Sequence, residues 1–401
     1  MMQCVVIICI ASYFALYGCS HSGSSMPIDI DESGVDSKAV ISVNLDAIAT
    51  EYAVNLSDIV DSYEIIQLED VPDAYFKAGK ITISNNYIVI LPSSGSPAKL
   101  FTRSGKFISN LGAIGRGPGE YTLSAHSAAI DESAERIYLA GLSGKSIHVY
   151  NLDGSFIEDI ETGGNIQKPT ITTMGDSALA LVHLAFADRG DKFVAAKIPS
   201  RLQSDVQRSY YNIPYLAVNL DDDNPNKAGF SNELWGMAND GTLSFQLLGG
   251  DTLYTYTPDV NHIAASLVAE ASPTLKRGGY TRLSKLPNGY FIELLSKSGY
   301  HYWCVDNNGD NGYELTTVYN DYLGNVEMVP SFVDGYWIQR YTEPEDLADK
   351  LIEHLAKANV NDNDRVEIER LISQASSGNA IIFLGRLTSE FPQIITSNTS
   401  K

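Results

Sequence analysis

Residues 99–160 open with KLFTRSGKFISNLGAIGRGPGEY, pass through AIDESAERIYLAG and close with IHVYNLDGSFIEDI. The two ends are versions of one pattern: an apolar-aromatic pair, a short polar turn, a glycine, one residue, then Phe-Ile. Leu100, Phe101, Gly105, Phe107 and Ile108 recur 49 residues later as Val149, Tyr150, Gly154, Phe156 and Ile157. Short strands repeating at that distance are the mark of a β-propeller, whose four-stranded blades take about 40–50 residues each.

Working outward, apolar strands of the same kind recur around Ile88, Tyr138, Leu179, Phe245, Phe291 and Trp337. Their spacings are 50, 41, 66, 46 and 46 residues, the long gap being filled by a polar stretch from Arg189 to Asn232. Partner strands KLFTRSG, IHVYNLDG, TLYTYTPD and HYWCVDNNG follow, punctuated by Asn-Gly, Asp-Gly and Ser-Gly turns suited to hairpins. Six units of this size predict an all-β, six-bladed propeller over residues 39–395, followed by a tail at 396–401. A β-sandwich accounts for the strands but not for the period. The segments from Ala39 to Leu45 and LSDIVDSYEIIQLED read as the first strands.

One segment departs from the pattern. Between Thr342 and Ser376 the apolar residues take helical spacing, with Leu347, Leu351 and Leu355 four apart. Thr342 with Glu345 and Asp364 with Glu367 read as capping boxes. This predicts a helical insertion at 342–376 in the last blade, packed on the propeller, with Ile381 to Leu387 completing the ring.

The chain has 401 residues, with 28 Lys and Arg against 49 Asp and Glu, a net charge of −21. That field repels phosphate backbones, so nucleic acid is excluded as a partner. Cys4, Cys9 and Cys19 lie in the N-terminal apolar region, leaving Cys304 alone in the body of the chain. A single core thiol forms no internal disulfide and reads as a small buried hydrophobe.

Residues Val5 to Tyr17 are nearly all apolar, the length of a signal h-region and too short to span a bilayer. They lead into Leu16-Tyr17-Gly18-Cys19, which resembles a bacterial lipobox although Tyr17 is bulky and the MMQ start carries no basic side chain. The resemblance implies a signal peptide over 1–18 and lipid attachment at Cys19, the rival being a plain secretory signal cut nearby. The Ser-, Gly- and Asp-rich stretch 19–38 then reads as a flexible tether.

The segment NLGAIGRGPGEYTLSAHSAAIDESAERIYLAGLSGKSIHVYNLDGSFIEDI resembles an NHL repeat. Gly117, Pro118, Gly119 and Tyr121 match that family's Gly-rich element, and Asp153 and Gly154 sit in its final turn. The family often has an Asp after the inner strand, where this chain has Ala140. More broadly the mature chain looks like the six-bladed propeller lipoproteins of Bacteroidota, on the strength of LSDIVDSYEIIQLED, GRGPGEY and NAIIFLGRL after a late helix. This implies an outer-membrane lipoprotein of the cell envelope. Ser20 to Ser25 lacks the acidic cluster that surface-exported members tend to carry, which favours the periplasmic side.

Chemistry is sparser than architecture. Gly115, Arg116, Gly117, Pro118, Gly119, Glu120 and Tyr121 read as a blade-connecting loop, with Arg116 and Glu120 as an ion pair across it. No Lys-Ser/Thr follows, so the loop is not a phosphate cradle. His residues at 21, 126, 148, 183, 262, 301 and 354 show no metal-ligand spacing. Some NHL-type propeller enzymes gather His from several blades, and His126, His183 and His262 fall in different units. Asp306, Asn308 and Asp310 imitate the start of an EF-hand loop, but Asn311 and Thr317 break the ligand set, and a hairpin turn fits better. No catalytic residue, metal or cofactor is indicated.

Aromatic residues are the remaining candidates. Trp303 and Trp337 read as core, Trp235 as close to a loop rim, and Tyr210, Tyr211 and Tyr215 as part of the long insertion. The reading is a lipid-anchored, non-catalytic binding or scaffold module for a protein or glycan partner. The alternative is a propeller lyase or hydrolase acting on a carbohydrate or peptide in the central funnel. Oligomeric state is not legible.

Overall fold

The computed structural model describes residues 40–93, 95–175, 177–186, 193–202, 209–211, 234–239, 242–247, 250–297, 299–375 and 378–390. The expected signal, Cys19, the tether, Tyr215 and the tail lie outside the described residues.

Six sheets stand in a ring, each built on four antiparallel strands, which in the first five follow the chain from the channel outward. Blade 1 is Gly79–Ile83, Tyr87–Pro92, Ala98–Thr102 and Phe107–Leu111. Blade 2 is Ala125–Asp131, Arg136–Gly141, Ser143–Asn151 and Phe156–Gln167. Blade 3 is Thr170–Thr173, Ala178–Val182, Ala195–Pro199 and Ser209–Tyr211. Blade 4 is Leu234–Asn239, Thr242–Leu247, Thr252–Thr257 and His262–Glu270. Blade 5 is Tyr280–Leu286, Gly289–Ser296, Gly299–Asp306 and Gly312–Asn320.

Blade 6 is assembled from both ends of the chain. Its first three strands are Phe332–Val333, Tyr336–Tyr341 and Ile381–Leu387, and its outermost strand is the N-terminal Val60–Gln67. Ile381–Leu387 is therefore the third strand, and the N-terminal strand closes the ring against it, in antiparallel register from Ile381↔Gln67 to Leu387↔Val60. On its way there the chain lays Ile41–Asn44 parallel to the outer strand of blade 4 and Glu51–Asn55 parallel to that of blade 5. These additions cover outer edges that would otherwise present unpaired backbone groups.

All six strands picked out by their apolar runs are the second strands of their blades. Ile88, Tyr138, Leu179, Phe245, Phe291 and Trp337 are buried, each at most 2% exposed. Sandwiched between neighbouring blades, a second strand is covered on both faces, so it reads as a continuous apolar run. The 49-residue repeat is the third-to-fourth-strand hairpin of blades 1 and 2. Gly105 and Gly154 turn it with φ of +89° and +86°. The aromatic before each turn meets the one after it edge-on, Phe101 with Phe107 at 5.4 Å and Tyr150 with Phe156 at 5.8 Å.

The helical insertion lies between the second and third strands of blade 6, as helices Pro344–Lys357 and Asp362–Gln374. Leu347, Leu351, Ile368 and Leu371 bury their side chains in one cluster with Val318, Leu323, Val326 and Met328 of the blade 5 side. The caps differ from the expected boxes. Pro344 at the first helical position starts the first helix after Glu343, with no side-chain cap from Thr342. Asn361 caps the second helix, accepting from Asp364 N at 3.0 Å, because Asp362 already belongs to the helix. Trp303 and Trp337 are core residues, and Cys304 is a buried free thiol pushed by burial up to about 12.

Candidate site at the channel mouth

Inner strands of a propeller run the same way round the ring, so their first residues gather at one end of the channel. Lys80 and His126 are second in the inner strands of blades 1 and 2, and Lys168 just precedes that of blade 3. Trp235 is second in the inner strand of blade 4, and Tyr280 and Arg282 are first and third in that of blade 5.

The aromatic side of this mouth is a stacked pair. The rings of Trp235 and Tyr280 lie 5.6 Å apart at 30°, with the Arg282 guanidinium 5.8 Å from the Trp235 ring. Tyr280 is 41% exposed and Trp235 half-buried, so the platform keeps an open face. Arg282 stands 3.7 Å from Glu293, its cross-strand neighbour, whose carboxyl is raised by burial against the pull of that arginine. Gly236 lets this strand approach blade 3, since a Cβ there would lie 2.2 Å from Thr170 Oγ1.

The other side is basic. Lys80 Nζ lies 2.9 Å from His126 Nε2. An ammonium has only protons to give, so Nε2 accepts and the imidazole is the neutral tautomer protonated at Nδ1. Burial, then the charges of Lys80 and Lys168, hold its pKa well below the usual histidine value.

The far end is crossed by the Asp334-Gly335 hairpin of blade 6. Both residues take positive φ, +44° and +80°, as such a two-residue turn demands. Asp334 Oδ1 reaches past blade 5 to accept from Ala238 N of blade 4 at 3.2 Å. Burial pushes its carboxyl up to about 6, against the Ala238 hydrogen bond and the charge of Lys80.

A family model for a domain of unknown function, DUF4934, matches residues 39–386, all six blades with their N-terminal strands. The chain belongs to the DUF4934 family. Among solved structures, it is similar to a candidate exported protein of Bacteroides fragilis NCTC 9343, with 17% identity and a TM-score of 0.56 over 87% of this chain and 100% of that one. At that identity the likeness shows the fold. A DUF4221 family member from Bacteroides vulgatus ATCC 8482 is 11% identical at a TM-score of 0.42, over 82% and 97% of the two chains. No curated protein matches.

In this DUF4934 propeller the GRGPGEY loop runs from blade 1 to blade 2 and is held by its own residues. Ala113–Ile114 and Glu120–Tyr121 pair in parallel across it. Glu120 accepts from Gly117 N at 2.7 Å, and no Arg116–Glu120 ion pair occurs among the described residues. The turn brings the Glu120 carboxylate onto the loop's own amide and away from Arg116's expected pairing. Tyr121 accepts from Ala98 N at 2.7 Å and donates to Leu111 O at 3.0 Å, and Tyr150 donates to Gly119 O at 2.5 Å.

The remaining candidates separate. Tyr210 and Tyr211 occupy the outer strand of blade 3 rather than a loop, three strands out from the channel, so they do not join Trp235. His183 is buried with its ring 4.8 Å from that of Phe193, while His262 opens the outer strand of blade 4. Among the described residues no group of three His, Cys, Asp or Glu is placed to hold a metal ion. Asp306 accepts from Asn308 N at 3.1 Å and Asp310 N at 3.0 Å, closing a hairpin turn. Among the described residues no helix is long and apolar enough to cross a membrane.

Proposed function

We propose that this DUF4934 propeller is an envelope lipoprotein that binds a protein or glycan partner at the channel mouth without transforming it. The carrying observation is the stacked Trp235–Tyr280 platform with Arg282 beside it. Flat apolar faces with polar edges suit a sugar ring or an aromatic side chain, and a neighbouring guanidinium adds direction. The lipobox-like Leu16-Tyr17-Gly18-Cys19 and the exported character suggested for the Bacteroides fragilis protein support placement in the envelope. A periplasmic-facing, outer-membrane anchor agrees with the absence of an acidic cluster after Cys19.

A second reading, a lyase or hydrolase, is favoured by one contact. His126 is neutral, and its Nε2 becomes a base for a substrate proton only when Lys80 turns from it to the developing anion, so the two would act as a pair. Cross-linking and pull-down from the native envelope, with mass spectrometry, separates the two. One stoichiometric partner lost on Trp235→Ala and Tyr280→Ala supports the binding module. Partner retention by both variants, or turnover of a sugar or peptide abolished by His126→Gln, moves the enzyme reading ahead.

A further inference from the structure

A cavity of about 250 Å³ lies where the ring closes and is lined by Ser62, Glu64, Asn85, Arg103, Tyr336 and Arg386. Ser62 and Glu64 come from the N-terminal closing strand, Arg386 and Tyr336 from the third and second strands of blade 6. Asn85 and Arg103 come from the two hairpin turns at one end of blade 1. The cavity therefore exists only in the closed ring, between its last blade and its first.

Its two arginines are in different states. Arg103 is pinned: its Nε donates to Glu64 Oε1 at 2.9 Å, a second N–H goes to the same oxygen, and Nη1 donates to Ser84 O at 2.7 Å. Its guanidinium lies 5.2 Å from the centre of the Tyr336 ring. Arg386 lies 5.9 Å from the same ring, is exposed, and has no ion pair or hydrogen bond among the described residues. Glu64 balances one guanidinium, so the cavity keeps one net positive charge in a chain of net charge −21.

We propose that this seam cavity binds a small hydroxy-carboxylate of monosaccharide size. The free Arg386 fork matches a planar carboxylate, two parallel N–H donors to two oxygens. One uncompensated charge suits a monoanion, and Glu64 in the same cavity repels a phosphate dianion. Ser62, Asn85 and Glu64 Oε2 supply the donors and acceptors that ligand hydroxyls require. The volume is below the roughly 300–1,000 Å³ of drug-sized pockets, which limits the occupant to about one sugar ring. Because the lining joins blade 6 to blade 1, the ligand binds only the folded, closed ring and stabilises it by mass action.

The test is calorimetric titration of the full chain with sodium glucuronate, glucose and inorganic phosphate at equal ionic strength, with thermal melts. Saturable glucuronate binding, absent with glucose, weaker with phosphate, and reduced at least tenfold by Arg386→Ala is expected, with a melting midpoint raised by a few degrees. Arg386 is exposed, so its truncation leaves the core intact, and Arg386→Lys should restore only part of the affinity. Trp235→Ala should leave glucuronate binding unchanged, which keeps this site distinct from the channel mouth. Absence of glucuronate binding, equal binding of glucose, tighter binding of phosphate, or full affinity in Arg386→Ala would overturn the assignment.

Discussion

Asp334 has its carboxyl raised from 3.8 to about 6, so the fold favours its protonated form more than the unfolded chain does. Between those values the folded state holds the extra proton, and stability falls as pH rises through that window. The whole effect is at most about 3 kcal/mol, from 1.36 kcal/mol per pKa unit. Asp334→Asn, which tolerates the same positive φ, should raise stability at pH 7 and change little at pH 4, as measured by urea unfolding at both. A second residue-scale expectation concerns Gly105. At φ +89°, with a Cβ that would lie 2.1 Å from Gln67 O, Gly105→Ala should cost at least about 3 kcal/mol. Gly144→Ala, with nothing within 4 Å and no positive φ, should stay within about 1 kcal/mol in the same unfolding assay. Trp235 was legible as a site residue because tryptophan is rare in this chain. Lys80, Tyr280, Arg282 and Asp334 were not, because the mixed sequences of inner strands look like loops until the ring places them together.

At the scale of elements, the second strands were legible with their places in the ring, and the closing strand was legible as a strand but not as part of the last blade. Val60–Gln67 is the outermost strand of its sheet, hydrogen-bonded along one edge to Ile381–Leu387 and partly exposed, so its apolar pattern is broken, and nothing local says which blade it joins. Ile41–Asn44 lies within the segment Ala39 to Leu45 that reads as a strand, but its parallel pairing with blade 4, like that of Glu51–Asn55 with blade 5, is a long-range fact. Phe383, buried in the third strand of blade 6, packs against Tyr63 of the closing strand with ring centres 6.5 Å apart. Phe383→Ala should lower unfolding free energy by about 3–5 kcal/mol in denaturant titration. Capping gives a finer contrast. Asn361→Ala should cost about 0.5–2 kcal/mol, whereas Thr342→Ala should stay within about 0.5 kcal/mol, because only the former caps its helix.

At the scale of the whole molecule, the ring joins ends of the chain and so creates two places no segment contains. The channel mouth collects the starts of inner strands, and the seam collects the end of the chain and its beginning. Period and turn chemistry made the six blades legible because each blade repeats the same local problem. The site was not, because it depends on which residues a closed ring turns inward. Trp303 and Trp337 are fully buried while Trp235 is only half-buried at the mouth, so Trp235 is the tryptophan whose fluorescence a bound partner should change. The most direct measurement is tryptophan fluorescence during titration with the partner recovered from the envelope, in the wild-type chain and in Trp235→Phe. Binding at the mouth should give a saturable change in intensity and emission maximum that disappears in Trp235→Phe. Saturable binding with an unchanged tryptophan signal, or a change that survives Trp235→Phe, would place the partner elsewhere and contradict it.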